Sequence, residues 1–425
     1  MPATNTPPLA MSLLGREAQF PAIAKLMNLA LENPKLLSLA AGFTDNATLP
    51  VKEVGAAVAA LAARKGEPEY LQYGTVQGRP ELRRLLASRL RFWEPKLVDL
   101  YLGDHIMVTN GSQQALYVAT QVLCDHGDIV LVDRPSYFAF LDAIKGVGAQ
   151  PKSLPFDDTG ALQVAELKKM LTAMKASGEI ARVKAIYLVS YFSNPSGRSM
   201  SEADKAALGK TLSEHGVIVP VIEDVAYREL FYDKPHPARS VLTMAEWRNF
   251  PQLYVATLTK PFATGIKVGW AYCTSAELQQ RMLAVKSGQD FGTANFNQAI
   301  YEEMIKAGAY DKQLPGLRQT YKAKMLALHE AFIAEGLGLM GWKWSEPTGG
   351  MYLWLRAPAG FDTGMETDFC QACVKEGVLY VPGELCFGDN PARNFIRASF
   401  GVLSHDQLRE AAKRFVKVAR QFSQK

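Results

Sequence analysis

The stretch HIMVTNGSQQALYVATQVLCDHGDIVLVD, residues 105–133, decides the fold. It opens on a short apolar run, turns into a longer amphipathic run and closes on a second apolar run, DIVLVD. The alternation continues through PSYFAFLDAIKGVG, VKAIYLVSYF (183–192), VIVPVIED (217–224), LYVATLTK (253–260) and VGWAYCTS (268–275). Near-continuous apolar strands alternating with helices predict an α/β fold with a mostly parallel sheet covered on both faces. Ligands of such sheets bind at the carboxyl ends of the strands, so polar residues at those ends carry the functional question.

Residues 1–10, rich in Pro, Thr and Asn, read as an arm. Residues 16–33 read as a helix ending near Asn33-Pro34, and LLSLAAGF as a short extended segment. After about residue 315 the pattern changes. A long helix (315–336), an extended segment around TGGMYLWLR, a helix TDFCQACVKEG, the runs LYVPG and NFIRASF and a terminal helix (405–422) make a smaller α+β unit. The expected division is residues 1–45 as arm and part of the small domain, 46–314 as the large domain and 315–425 as the small domain.

The bulk numbers narrow the class. A length of 425 residues suggests two or three domains, and 48% hydrophobic with 21% charged residues is ordinary soluble composition. The net charge of +5 is spread without a run of like charges, so neither a nucleic-acid tail nor a polybasic membrane patch is expected. Five cysteines are too few, and odd in number, for a disulfide framework. There is no basic-then-apolar leader and no apolar run approaching membrane length. The cytoplasm is the expected compartment.

Several strand ends carry reactive or recognition groups. LTKPFATGIKVGW holds Lys260, whose amine can form a Schiff base with an aldehyde, and Thr257 and Thr259 stand on the run before it. VIEDVAY holds Asp224 and Tyr227; alternation along the strand turns Glu223 to the other face. YFSNPSGR holds Asn194 in an Asn-Pro-x-Gly turn. In TNGSQQAL, Gly111, Ser112 and Gln113 open a helix whose first N–H groups and dipole suit an anion. RPSYFAF holds Tyr137, NFIRASF holds Arg397, AAGF holds Gly42 and LQYGTVQG holds Tyr73. Taken singly, each has a plainer reading: a solvated lysine, a helix cap, a core aromatic, a surface arginine.

Together and in this order, the motifs resemble those of fold-type I pyridoxal-phosphate enzymes. The resemblance is to the class I/II aminotransferases, and most of all to the branch with 2-aminoadipate and kynurenine aminotransferases. It covers nearly the whole chain after the arm. It implies a pyridoxal 5'-phosphate enzyme moving the α-amino group of an amino acid to a 2-oxo acid, by way of pyridoxamine phosphate. Lys260 would hold the cofactor and shuttle the proton. Asp224 would face the pyridine nitrogen, Tyr227 and Asn194 the phenolic oxygen, and Tyr137 the ring face. Gly111, Ser112, Gln113, Thr257 and Thr259 would take the phosphate. Arg397, with Asn194 and Gly42, would line the substrate's side. Tyr73 would reach the phosphate of a neighbouring subunit, making the active unit a homodimer. One position departs from the pattern: Lys267 stands where the family usually has a phosphate-binding arginine, keeping the charge and losing the planar fork. Arg16 and the stretch QDFGTANFNQ (289–298) are expected to border the substrate pocket.

Two rivals share part of this signal. A β-lyase, cyclase or decarboxylase would use the same cofactor residues. A cofactor-sensing regulator would carry an N-terminal DNA-binding domain, and the phosphate turn at residue 111 leaves little room for one. Cys370-Gln-Ala-Cys373 lacks a second pair or a nearby His and reads as helix packing. His329-Glu330 has Ile333 where a second His is needed, and Gly209-Lys210-Thr211 has Asp204 where a P-loop needs Gly, so no metal or nucleotide site is expected.

Overall fold

The computed structural model describes residues 10–423 apart from Gln19 and Pro34. The arm expected over residues 1–10 thus lies almost wholly outside the described residues. The strands are, in chain order, β1 (Leu37–Ser38), β2 (Ile106–Asn110), β3 (Ile129–Val132), β4 (Gln150–Ser153), β5 (Val183–Val189), β6 (Val221–Asp224), β7 (Gln252–Thr257), β8 (Val268–Cys273), β9 (Tyr352–Arg356), β10 (Val378–Leu379), β11 (Val381–Pro382) and β12 (Phe395–Ser399). Seven of them form one sheet in the order β2-β8-β7-β6-β5-β3-β4. All neighbours are parallel except β8, which runs against both β2 and β7.

Both faces of this sheet are covered, as the continuous apolar strands require. Val130, Val132, Tyr187, Val189, Leu253 and Val255 point into one buried cluster with Leu116 and Phe140 of the helices Gly111–Leu123 and Phe138–Gly146. Their alternates Ile129, Leu131, Ile186 and Leu188 point into another, with Leu167 and Leu171 of helix Val164–Ser177 and Leu208 and Leu212 of helix Glu202–Glu214. Beside this sheet, β11, β12 and β9 form an antiparallel sheet, and β1 pairs in parallel with β10. The segment before residue 43 is thereby tied to the last fifth of the chain.

The structure corrects several boundaries. The helix expected over 16–33 is two, Leu13–Glu17 and Ala22–Glu32, separated at Pro21, which stands as N-cap of the second. The helix expected from residue 315 begins at Ala309 and carries Pro315 inside it, where burial of Tyr310, Leu314 and Leu317 holds it together. Strand β4, QPKS, has no strand signature in its sequence; it is a sheet edge, where a polar sequence containing proline is tolerated. Strand β7 stops at Thr257, so Thr259 and Lys260 stand in the turn beyond it.

The edge formed by the carboxyl ends of β2, β5, β6 and β7 also receives the start of β8, because Asn110 pairs with Val268 and Thr257 with Gly269. A Cβ on Gly269 would stand 2.3 Å from the carbonyl carbon of Gly111 and 2.5 Å from the nitrogen of Ser112. Only glycine lets β8 lie so close beneath the first turn of helix Gly111–Leu123. Gly269→Ala should therefore destabilise the protein by about 1–3 kcal/mol through overpacking. Denaturant titration reads this directly, and an unchanged midpoint would show that the turn shifts freely.

Candidate active site

At that edge lies a cavity with about 370 Å³ of empty space, lined by Ser112, Tyr137, Val189, Asn194, Asp224, Ala226, Tyr227, Thr257, Thr259 and Lys260. Residues from five separate strand ends converge on it. Helix Gly111–Leu123 has no side-chain cap at its N-terminus, so the first-turn N–H groups of Ser112 and Gln113 face the site without an internal acceptor. The Thr257 and Thr259 hydroxyls are hydrogen-bonded to each other, and the Thr259 amide donates to Thr257 Oγ1 at 3.1 Å. The Lys260 ammonium donates to the Gly42 carbonyl at 2.6 Å, bringing the AAGF segment over the cavity.

Asp224 ends β6 and is buried. It accepts from the Tyr187 hydroxyl at 2.9 Å and from the Ala226 amide at 2.9 Å. Burial pushes its carboxyl up to about 6, against the opposing pull of those two donors. Glu223, one residue before, faces the other way as alternation requires. It pairs with the buried Lys205 ammonium at 3.0 Å, and its carboxyl is held low despite burial, chiefly by Lys205 and by serine donors. Asp133, at the end of β3, is buried too; it takes a hydrogen bond from the Ser136 hydroxyl and from the Val189 amide, and burial lifts it to about 7.

Arg397, on β12, is 1% exposed. One terminal nitrogen donates to Asn194 Oδ1 at 2.9 Å, the other to the Ala40 carbonyl at 2.5 Å, and Nε has no partner. The guanidinium lies 4.4 Å over the Tyr352 ring and 5.0 Å over Phe138. Among the described residues no carboxylate pairs with it. The loop carrying Asn194 is held against β9: Gly197 has φ +66°, and a Cβ there would stand 2.8 Å from the Tyr352 carbonyl oxygen.

The remaining expected residues fall in three places. Gly111 (φ +66°) and Gln113 adjoin the cavity through Ser112, and Lys267 covers the same turn, its Cγ 3.7 Å from where a Cβ on Gly111 would be. Tyr73 is 86% exposed, packs edge-on against Phe291 and is not among the residues lining the cavity. In the stretch 289–298, Phe291 is exposed and Phe296 packs on Tyr70, while the Asp290 carboxylate accepts from Asn110 Nδ2 and Gln114 Nε2 beside the turn that opens helix Gly111–Leu123. Arg16 is not brought to the site: it is exposed and donates to the Met11 carbonyl at 2.7 Å. Both cysteines of the C-x-x-C are buried on helix Asp368–Lys375, and no metal-ligand cluster occurs among the described residues.

Two residues beside the cavity carry no sequence signal of their own, Tyr187 and Tyr352. Each is a tyrosine within an apolar strand, where the default is core packing. Tyr187 holds Asp224; the Tyr352 hydroxyl lies 2.9 Å from that of Tyr227.

Comparison with known proteins agrees with this geometry. The family described as "Aminotransferase class I and II" matches residues 34–415. An aromatic-amino-acid aminotransferase of Thermococcus litoralis is 31% identical over 403 residues, 94% of this chain and 91% of the relative. The kynurenine aminotransferase of Pyrococcus horikoshii superposes with a TM-score of 0.86 at 29% identity, covering 97% of both chains. The α-aminoadipate aminotransferase of Thermus thermophilus, solved with N-(5'-phosphopyridoxyl)-L-leucine, superposes with a TM-score of 0.82 at 26% identity, again over 97% of both.

The raised Asp224 carboxyl has a consequence for stability. Its folded value of about 6 lies above the ordinary 3.8, so the fold favours the neutral acid. That contribution is complete below about pH 4 and is lost as pH rises through about 6. Asp224→Asn should flatten this part of the pH–stability curve of the ligand-free protein, by up to about 3 kcal/mol. Asp133 adds a similar slope reaching to higher pH, present in both proteins. Denaturant titrations from pH 4 to pH 7 check it; parallel curves for the two proteins would refute the raised value.

Proposed function

This chain belongs to the class I and II aminotransferases, and from that membership we propose the task of each residue around the cavity. The reaction is transfer of the α-amino group of an amino acid to a 2-oxo acid with pyridoxal 5'-phosphate. The cofactor supplies an electron sink and a carbonyl carbon that carries the amino group between the two acids. One observation carries the assignment of roles. A lysine amine, a buried carboxylate without a cationic partner and an uncapped helix N-terminus surround a single cavity. These suit the carbonyl, the ring nitrogen and the phosphate respectively.

The first-turn amides of Ser112 and Gln113, opened by Gly111, hold the phosphate, with the Thr257 and Thr259 hydroxyls and the Lys267 ammonium beside them. Asp224 keeps a proton on the ring nitrogen; Tyr187 and the Ala226 amide fix the direction of its carboxylate. Tyr227 and Asn194 serve the phenolic oxygen, and Tyr137 covers a ring face. Lys260 would hold the carbonyl carbon of the cofactor, and as a free amine it would take and return the proton at the substrate Cα, with the Gly42 carbonyl as its resting partner. Arg397 and Asn194 clamp the substrate α-carboxylate, replacing the partner that the buried guanidinium lacks.

The same assignment divides the chain into a large unit (46–314) and a small one (315–425 with residues before 46). The pairing of β1 with β10 supports this, and Arg397 then draws the small unit over the substrate. Five cysteines, all buried and unpaired, suit the cytoplasm as its setting, which cell fractionation checks. Among the described residues no helix is long and apolar enough to cross a membrane.

The test is the visible absorption spectrum of the purified holoprotein, followed on adding amino acids with no oxo acid present. The visible band of the lysine-bound cofactor should be bleached by particular amino acids, and not by the matching amines that lack the carboxylate. A 2-oxo acid should then restore it. Lys260→Ala should bind cofactor without this cycle. A wild-type band that persists, or an amine that bleaches it as well as its amino acid, would overturn the roles given to Lys260 or Arg397.

The exposed Tyr73–Phe291 pair supports a homodimer in which Tyr73 serves the partner's phosphate site. Tyr73→Ala should then weaken cofactor binding about tenfold, the scale of one charge-assisted hydrogen bond, although the side chain does not line its own chain's cavity. Fluorescence titration of the apoprotein with cofactor reads this; unchanged affinity would remove Tyr73 from the site.

A further inference from the structure

The Tyr227 hydroxyl lies 2.9 Å from that of Tyr352, and the two rings meet edge to face at 5.7 Å. Both side chains are buried. Among the described residues each hydroxyl has the other as its hydrogen-bond partner, and geometry alone allows either to donate. A phenol has one proton to give. With Tyr227 placed as under the proposed function, it spends its proton on the phenolic oxygen of the cofactor ring, so the proton between the two tyrosines must come from Tyr352. We propose that Tyr352 is a positioning residue that donates to Tyr227, fixing it as a donor and strengthening the hydrogen bond it gives to the cofactor. This inference rests on that placement of Tyr227.

The packing holds the Tyr352 ring in place beside Tyr227. Tyr352 stands on β9 opposite Ser399, two residues from Arg397, and its ring lies under the Arg397 guanidinium at 4.4 Å. A Cβ on Gly42 would stand 3.0 Å from its hydroxyl oxygen, so the AAGF segment packs closely over that hydroxyl. A donor to Tyr227 polarises the Tyr227 O–H, and hydrogen bonds in such a chain reinforce one another. A stronger donor at the phenolic oxygen favours its anionic form. In a Schiff base of Lys260 with the cofactor, an anionic phenolic oxygen would hold the nitrogen's proton less firmly when Tyr352 donates to Tyr227 than when it does not.

The other ionisable groups facing the pair are Tyr137, Tyr321, Arg397, Lys260 and Asp224. Removal of one hydroxyl leaves all of them in place.

The experiment is a pH titration of the visible absorption band of the holoenzyme. Tyr352→Phe, which keeps the ring over Arg397, should move the midpoint up by about half a unit to one unit. Installing 3-fluorotyrosine at position 352, a stronger donor of nearly the same shape, should move it down. Tyr227→Phe should raise it at least as far as Tyr352→Phe, and the double variant no further than Tyr227→Phe alone. A midpoint that moves in Tyr227→Phe but in neither position-352 variant would overturn the role of Tyr352 and leave Tyr227 where it is. Additive shifts in the double variant would show Tyr352 acting by another route and overturn it equally. A midpoint insensitive to Tyr227→Phe would overturn the placement of Tyr227, and the inference with it.

Discussion

A guanidinium sealed from water without a carboxylate is the constraint around which the rest of this site is arranged. Leaving a charge buried and unpaired costs several kcal/mol, and proteins ordinarily avoid it. Here the cost is offset in part by Asn194 Oδ1, the Ala40 carbonyl and the faces of Tyr352 and Phe138. These partners come from four distant stretches of chain. Arg397 can therefore be buried only when the segment before residue 43, the Asn194 loop, β9 and β12 are assembled together. Under the proposed function a substrate carboxylate would complete the pairing, and the affinity it gained would come from charge already desolvated by folding.

Strand β6 shows how the same fold treats two adjacent acids in opposite ways. Glu223 and Asp224 are both buried, and alternation sends them to opposite faces of the sheet. Behind the sheet, Glu223 meets Lys205 and the hydroxyl of Ser240, a closed set that keeps it ionised. On the cavity side, Asp224 meets a phenol and an amide but no cation, and its proton affinity rises. The first is a finished ion pair. The second is half of one, and under the proposed function a cationic ring nitrogen would drive the carboxyl back to its charged form. Asp224 in turn adds to the effect of burial in raising the neighbouring Asp133 at the end of β3.

Hydrophobic period and turn residues carry the outline of the fold in the sequence. The parallel sheet is legible because strands buried on both faces have no polar alternates, and the cavity residues on strand ends can be found because such sheets bind ligands there. Strand β4 escapes because an edge strand need not be apolar. The extent of β7 escapes because LTK continues the strand's composition past Thr257, where the strand ends apart from one further bond from the Leu258 amide to the Val268 carbonyl. Tyr352 and Tyr187 escape for a different reason: their function lies in one hydroxyl, and a tyrosine that packs and a tyrosine that donates have the same sequence signature. Within the single chain Arg16 lies on a short exposed helix and donates to the Met11 carbonyl, a local contact that its residue type does not announce.

Lys267 tests how far a substitution at a phosphate site can be judged from residue type. A guanidinium would contribute two parallel donors to one phosphate; an ammonium contributes a point charge without fixed direction. The loss of direction matters least where other groups already supply it. The amides of Ser112 and Gln113 are rigid, because β8 presses against the turn through Gly269 at a spacing that excludes even a methyl group. Lys267 takes a left-handed backbone conformation, φ +55°, immediately before β8, so its chain is carried by the same contact that fixes the turn. Under the proposed function the orientation of the phosphate would follow from the backbone, and the side chain at 267 would have only to neutralise it, which a lysine can do.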